Sequence, residues 1–200
     1  IAVDPGVFVP RQRTVLLAER AAQLAAAVAG LPVVVDLCCG CGAIGALVAA
    51  RLGAAGPAAD LHAADVDPAA VACARRNLSA YNGHVYEGDL DAPLPARLRG
   101  RVDVLAVNAP YVPTREVAWM PPEARDHEPV SALDGGPDGL AIVRRAIAAA
   151  AGWLRPGGYF LVETSAGQAP AVCAAARAAG LDPWVEDDDE TGATIVVARR

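Results

Sequence analysis

Two hundred residues suffice for one domain with a full hydrophobic core. The chain is 54% hydrophobic but only 4% aromatic, so alanine, valine and leucine must fill that core. The net charge is -6 and all 17 strong bases are arginine; this argues against a broad phosphate-binding face, and no apolar stretch reaches the roughly 18 residues of a membrane span.

The chain starts at Ile1 and its only methionine is Met120, so we expect further sequence before Ile1; no signal peptide is evident. Residues 1–30 are expected to form a leading segment and helix, and residues 31–200 a single α/β domain. Residues 14–29, "TVLLAERAAQLAAAVA", have helical composition, and Gly30 stands where a helix stops. "PVVVDL" (32–37) predicts a buried strand by its β-branched run. A glycine cluster follows, and "AIGALVAARLG" predicts a helix ending at Gly53. "DLHAADV" (60–66) predicts a second strand; Asp67-Pro68 then supplies an N-cap and a proline at the first position of the helix "PAAVACARRNLSAY". Further strands are expected at 84–90 and 102–108, followed by a long Pro-rich, acidic loop to about Pro137. A helix at 138–154, closed by "RPGG", leads to a strand at 159–165, the helix "APAVCAAARAAG" and two strands near 182–186 and 193–198. Alternating strands and helices imply a doubly wound, mostly parallel sheet of seven strands, with a closing hairpin that makes one edge antiparallel.

"VVVDLCCGCGAIG" (33–45) crowds three cysteines into a glycine cluster. Gly40, Gly42 and Gly45 match the G-x-G-x-x-G spacing between a strand and a helix, with Asp65 about twenty residues on. Such loops serve nicotinamide, flavin and S-adenosylmethionine (SAM) binders alike, because glycine admits close approach and the helix start offers free N–H groups. Asp36, four positions before the first of these glycines, is out of place beside a pyrophosphate but suits the cationic amino-acid end of SAM. Cys38, Cys39 and Cys41 are too tightly spaced to converge on a metal, and Cys39 and Cys41 lack the two-residue spacing of a redox pair. We read all three as small residues of a tight turn and expect no metal. Five cysteines, an odd number, make no disulfide framework and fit a reducing, cytoplasmic compartment.

Asp65 ends the second strand, where a carboxylate can accept both ribose hydroxyl protons; Asp67 competes for that role, but helix capping accounts for it. Asp89 follows the third strand at the expected place of an adenine, and a solvated loop acid is the rival reading. "VLAVNAPYVP" (104–113) sets Asn108, Ala109, Pro110 and Tyr111 at the end of the fourth strand. The Asn108 side chain and the Ala109 carbonyl could together accept two hydrogen bonds from an NH₂ group and aim its nitrogen at an electrophile. Tyr111 could wall out water; a simple β-turn is the rival reading.

"NAPY" resembles the N-P-P-Y motif of SAM-dependent methyltransferases acting on planar amino groups. The wider chain resembles the HemK/PrmC family, which methylates N(5) of the glutamine in the Gly-Gly-Gln loop of peptide-chain release factors. The resemblance rests on "FVPRQRT" (8–14), "VVDLCCGCGAIG", "AADVDPAAVACARRN", "DHEPVSALDGGPDGL" and "LRPGGYFLVETSAGQ". It implies SAM contacts at Cys38, Cys39, Gly40, Cys41, Gly42, Asp65, Asp89, Leu90 and Asn108, and substrate contacts from Asn108 through Tyr111. Glu128-Pro129 would organise the loop over the substrate. Ala109 stands where the family has its first motif proline, Cys38 where it has a glycine, and Cys39 and Cys41 where it has threonine and serine. The family's N-terminal helical domain, which helps to grip the release factor, has no counterpart in these 200 residues. The rival functions are methylation of an exocyclic amino group in DNA or RNA, against which the charge counts, and a non-catalytic SAM-binding regulatory module. A nicotinamide oxidoreductase is least supported.

Overall fold

The computed structural model describes residues 1–55, 59–120 and 128–200. Its seven strands are β1 (Val33–Leu37), β2 (Asp60–Asp65), β3 (His84–Glu87), β4 (Val102–Val107), β5 (Leu154–Thr164), β6 (Asp182–Asp188) and β7 (Ala193–Arg199). They form one sheet in the order β3-β2-β1-β4-β5-β7-β6. β1 through β5 pair in parallel, whereas β7 runs antiparallel to both β5 and β6. The expected hairpin thus closes one edge, with the reversed strand lying one place in from it.

Among the described residues, five helices cover the faces: α1 (Thr14–Ala26), α2 (Ala43–Ala55), α3 (Pro68–Leu78), α4 (Ala141–Trp153) and α5 (Ala169–Ala178). Strand alternation divides the core between the two sides. Val34 of β1 and Val104 and Ala106 of β4 pack with α1, α2 and α3, in a cluster holding Leu17, Val48 and Leu78. Val35, Leu37, Leu105 and Val107 face α4 and α5, with Ile147, Trp153 and Val172. Each fully buried Val or Leu contributes roughly 1.5–3 kcal/mol, and Trp153 and Phe160 are the aromatic residues among the largest fully buried side chains. α3 starts as its sequence dictates: Asp67 Oδ1 accepts the Ala69 N–H at 2.9 Å, and Pro68 follows the cap.

Several boundaries differ from the expectation. α3 stops at Leu78, and Ser79–Tyr81 tighten into a 3-10 turn closed by left-handed Asn82. β3 ends at Glu87, because Gly88 turns the chain against Pro93. "RPGG" does not terminate a helix but lies inside β5, which begins at Leu154 directly after α4. There the register against β4 shifts, with Gly157 at φ +80° and Gly158 so close to the Val102 carbonyl that a Cβ would stand 2.7 Å from it. The long loop holds 3-10 turns at Thr114–Trp119 and Val130–Ala132 and a bridge between Val112 and Asp134. Asp126 and His127 of the "DHEPV" stretch lie outside the described residues.

Candidate active site

The chain leaves the sheet centre at β1, runs outward to β3 and returns at β4 on the other side of β1. Such a reversal opens a crevice beyond the carboxyl ends of the strands. There a cavity is lined by the turns after β1, β2, β3 and β4, by residues 8–14 and by part of the 129–133 segment. It brings together Cys38, Cys39, Gly40, Cys41, Asp65, Asp89, Leu90, Asn108, Ala109, Pro110, Tyr111 and Pro129. Two residues expected at a ligand, Asp36 and Gly42, do not line it.

Gly42 instead admits the packing of neighbouring elements: at φ +79°, an added Cβ would stand 3.1 Å from Leu78 Cγ and 3.3 Å from Ala74 Cβ of α3. Asp36 is fully buried on β1. Its Oδ2 accepts the Gly45 N–H at 3.0 Å, while Oδ1 has no partner. Burial pushes this carboxyl up to about 7, against the Gly45 hydrogen bond, and nearby Asp65 pushes it further up.

The turn after β1 is held from below. Gly40 N donates to Asp65 Oδ2 at 2.8 Å, Asp67 N donates to Asp65 Oδ1 at 3.0 Å, and Cys39 N donates to the Ala64 carbonyl at 3.1 Å. Asp65 therefore braces the turn with both oxygens, each of which keeps a further lone pair for a ligand. Its burial raises its pKa, and the two backbone donors oppose that rise. Cys38 adopts φ +54°, a left-handed conformation ordinary for glycine and costly for other residues. All five cysteines are free thiols. Burial raises those of Cys38 and Cys39, with nearby carboxylates adding to the rise, and takes Cys41 up to about 11. Neutral thiols of this kind pack rather than react. Asp89 is exposed and accepts from Arg145 Nη2 of α4 at 2.6 Å; Leu90 beside it is buried at φ +49°.

On the far wall, Asn108 Nδ2 donates to Thr14 Oγ1 at 3.3 Å, which turns the side-chain oxygen away from α1. Ala109 is buried. The Tyr111 hydroxyl donates to Glu163 Oε1 at 3.1 Å, and Arg13 Nε donates to the same oxygen at 2.9 Å. The Tyr111 carbonyl accepts from Gln168 Nε2 at 2.9 Å. Buried Glu128 takes the Arg11 guanidinium on both oxygens, at 2.7 and 2.8 Å, and the Val9 N–H at 3.2 Å, tying residues 8–14 to the 128–133 segment. Arg11, Arg13 and Thr14 lie in "FVPRQRT", and Glu163 and Gln168 in "VETSAGQ"; both stretches were legible as family-like, but their contacts were not.

A doubly wound sheet, a glycine turn after its first strand and a cavity over its central strands define the class I methyltransferase architecture. Residues 4–120 match the model of the methyltransferase small domain. A methyltransferase structure from Pyrococcus furiosus superposes with a TM-score of 0.68 at 17% identity, covering 100% of this chain and 87% of that one. The release factor glutamine methyltransferase of Geobacter sulfurreducens is 35% identical over 200 residues, 99% of this chain and 67% of that protein. Its counterpart in Gloeobacter violaceus is 42% identical over 176 residues, 86% of this chain and 59% of that protein. The chain belongs to the release factor glutamine methyltransferase family. It spans somewhat more than half the length of most of the curated relatives it matches. No helix among the described residues is long and apolar enough to cross a membrane.

Proposed function

We propose that this domain transfers a methyl group from SAM to the side-chain amide nitrogen of a protein glutamine, in the Gly-Gly-Gln loop of a peptide-chain release factor. The activity for which the relatives are named supports this reading, and one observation carries it. Asn108 stands across a single cavity from the glycine turn, with its amide group already committed to Thr14.

The residues present suit SAM. The cavity is closed on one side by a turn whose backbone lies bare at Gly40, where an added Cβ would meet nothing within 4 Å. A carboxylate, Asp65, lines it at the end of β2, and a buried orphan oxygen, Asp36 Oδ1, waits beneath. When bound, SAM supplies an electrophilic methyl carbon on a sulfonium. Cys38, Gly40 and Cys41 would hold its amino-acid portion, Asp65 its ribose, and Asp89 and Leu90 its adenine.

The chain's own part is to make a poor nucleophile reactive. An amide nitrogen has a delocalised lone pair, so position and electrostatics must supply the rate. With Nδ2 spent on Thr14, Asn108 Oδ1 is free to accept one amide N–H of the substrate, and the Ala109 carbonyl accepts the second. Two acceptors would fix the direction of the nitrogen's lone pair, draw off positive charge as the nitrogen bonds to carbon and the methyl–sulfur bond breaks, and hold the N–H proton that the methylated nitrogen must then release. Tyr111, held by its hydroxyl and its carbonyl, covers the acceptor and keeps water out. The free thiols fit work in a reducing cytoplasm.

The test is mass spectrometry of a release factor incubated with SAM and the protein. One added methyl on the Gly-Gly-Gln glutamine is expected. Methylation of RNA or DNA instead would replace the substrate, and SAM binding without turnover on either would favour a regulatory module.

A further inference from the structure

Glu163 lies on β5, 1% exposed, beneath the Asn108–Tyr111 turn. Its Oε1 receives two donors, the Tyr111 hydroxyl at 3.1 Å and Arg13 Nε at 2.9 Å, while its Oε2 has no partner. A carboxylate buried in this way is expensive unless its partners matter, because desolvation of the charge opposes folding. Arg13 is more than a counter-ion here. Its guanidinium stands over the Tyr111 ring, 5.6 Å from the centroid, and it immediately precedes Thr14, which holds Asn108. The first helix thus reaches both ends of the acceptor turn, at Asn108 through Thr14 and at Tyr111 through Arg13 and Glu163. The sequence separations are 150 residues for Arg13–Glu163 and 52 for Tyr111–Glu163.

We propose that Glu163 is a positioning residue that locks the Tyr111 ring against Arg13 and so fixes the wall of the acceptor pocket. The proposal rests on the glutamine-methylating reading for its kinetic consequence, but the lock itself is a property of this chain. Glu163 is absent from the cavity lining, so it acts through Tyr111 rather than on substrate. Burial first, then the Glu163 carboxylate, raises the Tyr111 pKa, and Arg13 opposes this.

The experiment combines a chemical probe with kinetics on the full chain, comparing wild type with Glu163→Gln and Glu163→Ala. Tetranitromethane nitrates phenolates, and peptide mapping reads Tyr81, Tyr86, Tyr111 and Tyr159 separately. In wild type, Tyr111 is expected to react slowly, being buried and beside the Glu163 carboxylate. Glu163→Gln keeps the volume and one oxygen but removes the charge. It is expected to accelerate Tyr111 nitration roughly tenfold, the effect of one pKa unit, without altering the other three. A residue that merely filled space would not respond to this isosteric change. In the methyl-transfer assay, kcat is expected to fall roughly 10- to 100-fold in Glu163→Ala and less in Glu163→Gln, with the dissociation constant for S-adenosylhomocysteine unchanged within about twofold, since Glu163 lies outside the cofactor turn. Tyr111→Phe combined with Glu163→Gln should be no worse than the more impaired single variant, because both cut one link. Unchanged Tyr111 nitration in both Glu163 variants overturns the lock. If wild type methylates no amide, the glutamine reading falls while the nitration contrast still judges the lock.

Discussion

Replacing Gly139 by alanine probes the acceptor turn without replacing a residue that would meet substrate or cofactor. Gly139 is buried at φ +77°, and a Cβ there would overlap the Tyr111 carbonyl oxygen and stand 2.5 Å from Gln168 Nε2. Three costs follow. Left-handed backbone in a non-glycine residue costs about 1–2 kcal/mol. Expelling Gln168 breaks its hydrogen bonds to the carbonyls of Tyr111 at 2.9 Å and Asp138 at 3.1 Å, about 1 kcal/mol each. If the fold absorbs the strain in place, stability falls by roughly 3–4 kcal/mol, which for a domain of this size lowers Tm by roughly 10 °C. If instead the Tyr111 segment moves aside, stability is partly recovered and the turn shifts. A displacement of about 1 Å at an acceptor costs on the order of 100-fold in rate. Scanning calorimetry and single-turnover methyl transfer measure the two routes together, and S-adenosylhomocysteine binding serves as control because the atoms nearest a Gly139 Cβ belong to Tyr111 and Gln168, not to the β1 turn. We expect a loss on at least one axis, with binding held within about threefold. A Gly139→Ala protein with wild-type Tm and wild-type rate would refute the claim that Gly139 and Gln168 clamp the acceptor turn.

Asn108→Ala should lower methyl transfer on the order of 100- to 1000-fold while weakening S-adenosylhomocysteine only modestly by calorimetry; retained turnover removes Asn108 from the acceptor role. Asp65→Ala deletes the acceptor for both Gly40 N and Asp67 N, so cofactor affinity should fall more than about tenfold, since each bond to a charged group contributes roughly 1.5–3 kcal/mol. An unchanged dissociation constant would show that Asp65 neither braces the turn nor meets the ribose. Asp36 titrates at about 7 in the fold against 3.8 as its ordinary value. The folded chain therefore holds this proton more tightly, and the associated stability is complete below about pH 4 and lost as pH rises through about 7. Urea midpoints between pH 4 and 8 should show this decline in wild type and a flatter curve in Asp36→Asn; parallel curves would contradict it.

What the sequence revealed and what it hid divide by range. β1 and β4 were legible because a strand buried on both faces is a continuous apolar run, and α3 because Asp67-Pro68 states its own start. The glycine turn and "NAPY" were legible as short motifs whose spacing carries the geometry. The register shift at "RPGG" was not, because a helix stop and a strand bulge use the same residues, and only the Val102 carbonyl facing Gly158 distinguishes them. Glu163 and Gln168 were equally hidden. An acid inside "YFLVETS" looks like a strand end meeting water, and nothing local records that Arg13 and Tyr111 converge on it. The depth of Asp36 was hidden for the related reason that motif spacing fixes the strand position of a side chain but not how far below the surface it lies. One pleat below the turn, it supports Gly45 and does not line the cavity.

The cysteines of the β1 turn follow from these constraints. Cys39 and Cys41 are buried, and a thiol fits where threonine or serine would fit at little cost in volume. Cys38 is different, since its left-handed backbone carries a side chain at about 1–2 kcal/mol relative to glycine. A strain of that size persists only where surrounding bonds leave the backbone no alternative. Here Cys39 N is fixed to Ala64 and Gly40 N to Asp65, one residue and two residues further along. The same bonds that force the strain on Cys38 hold the Gly40 backbone bare toward the cavity. The turn keeps its ligand-facing shape because β2 imposes it, and so it tolerates a residue that the local sequence alone would disfavour.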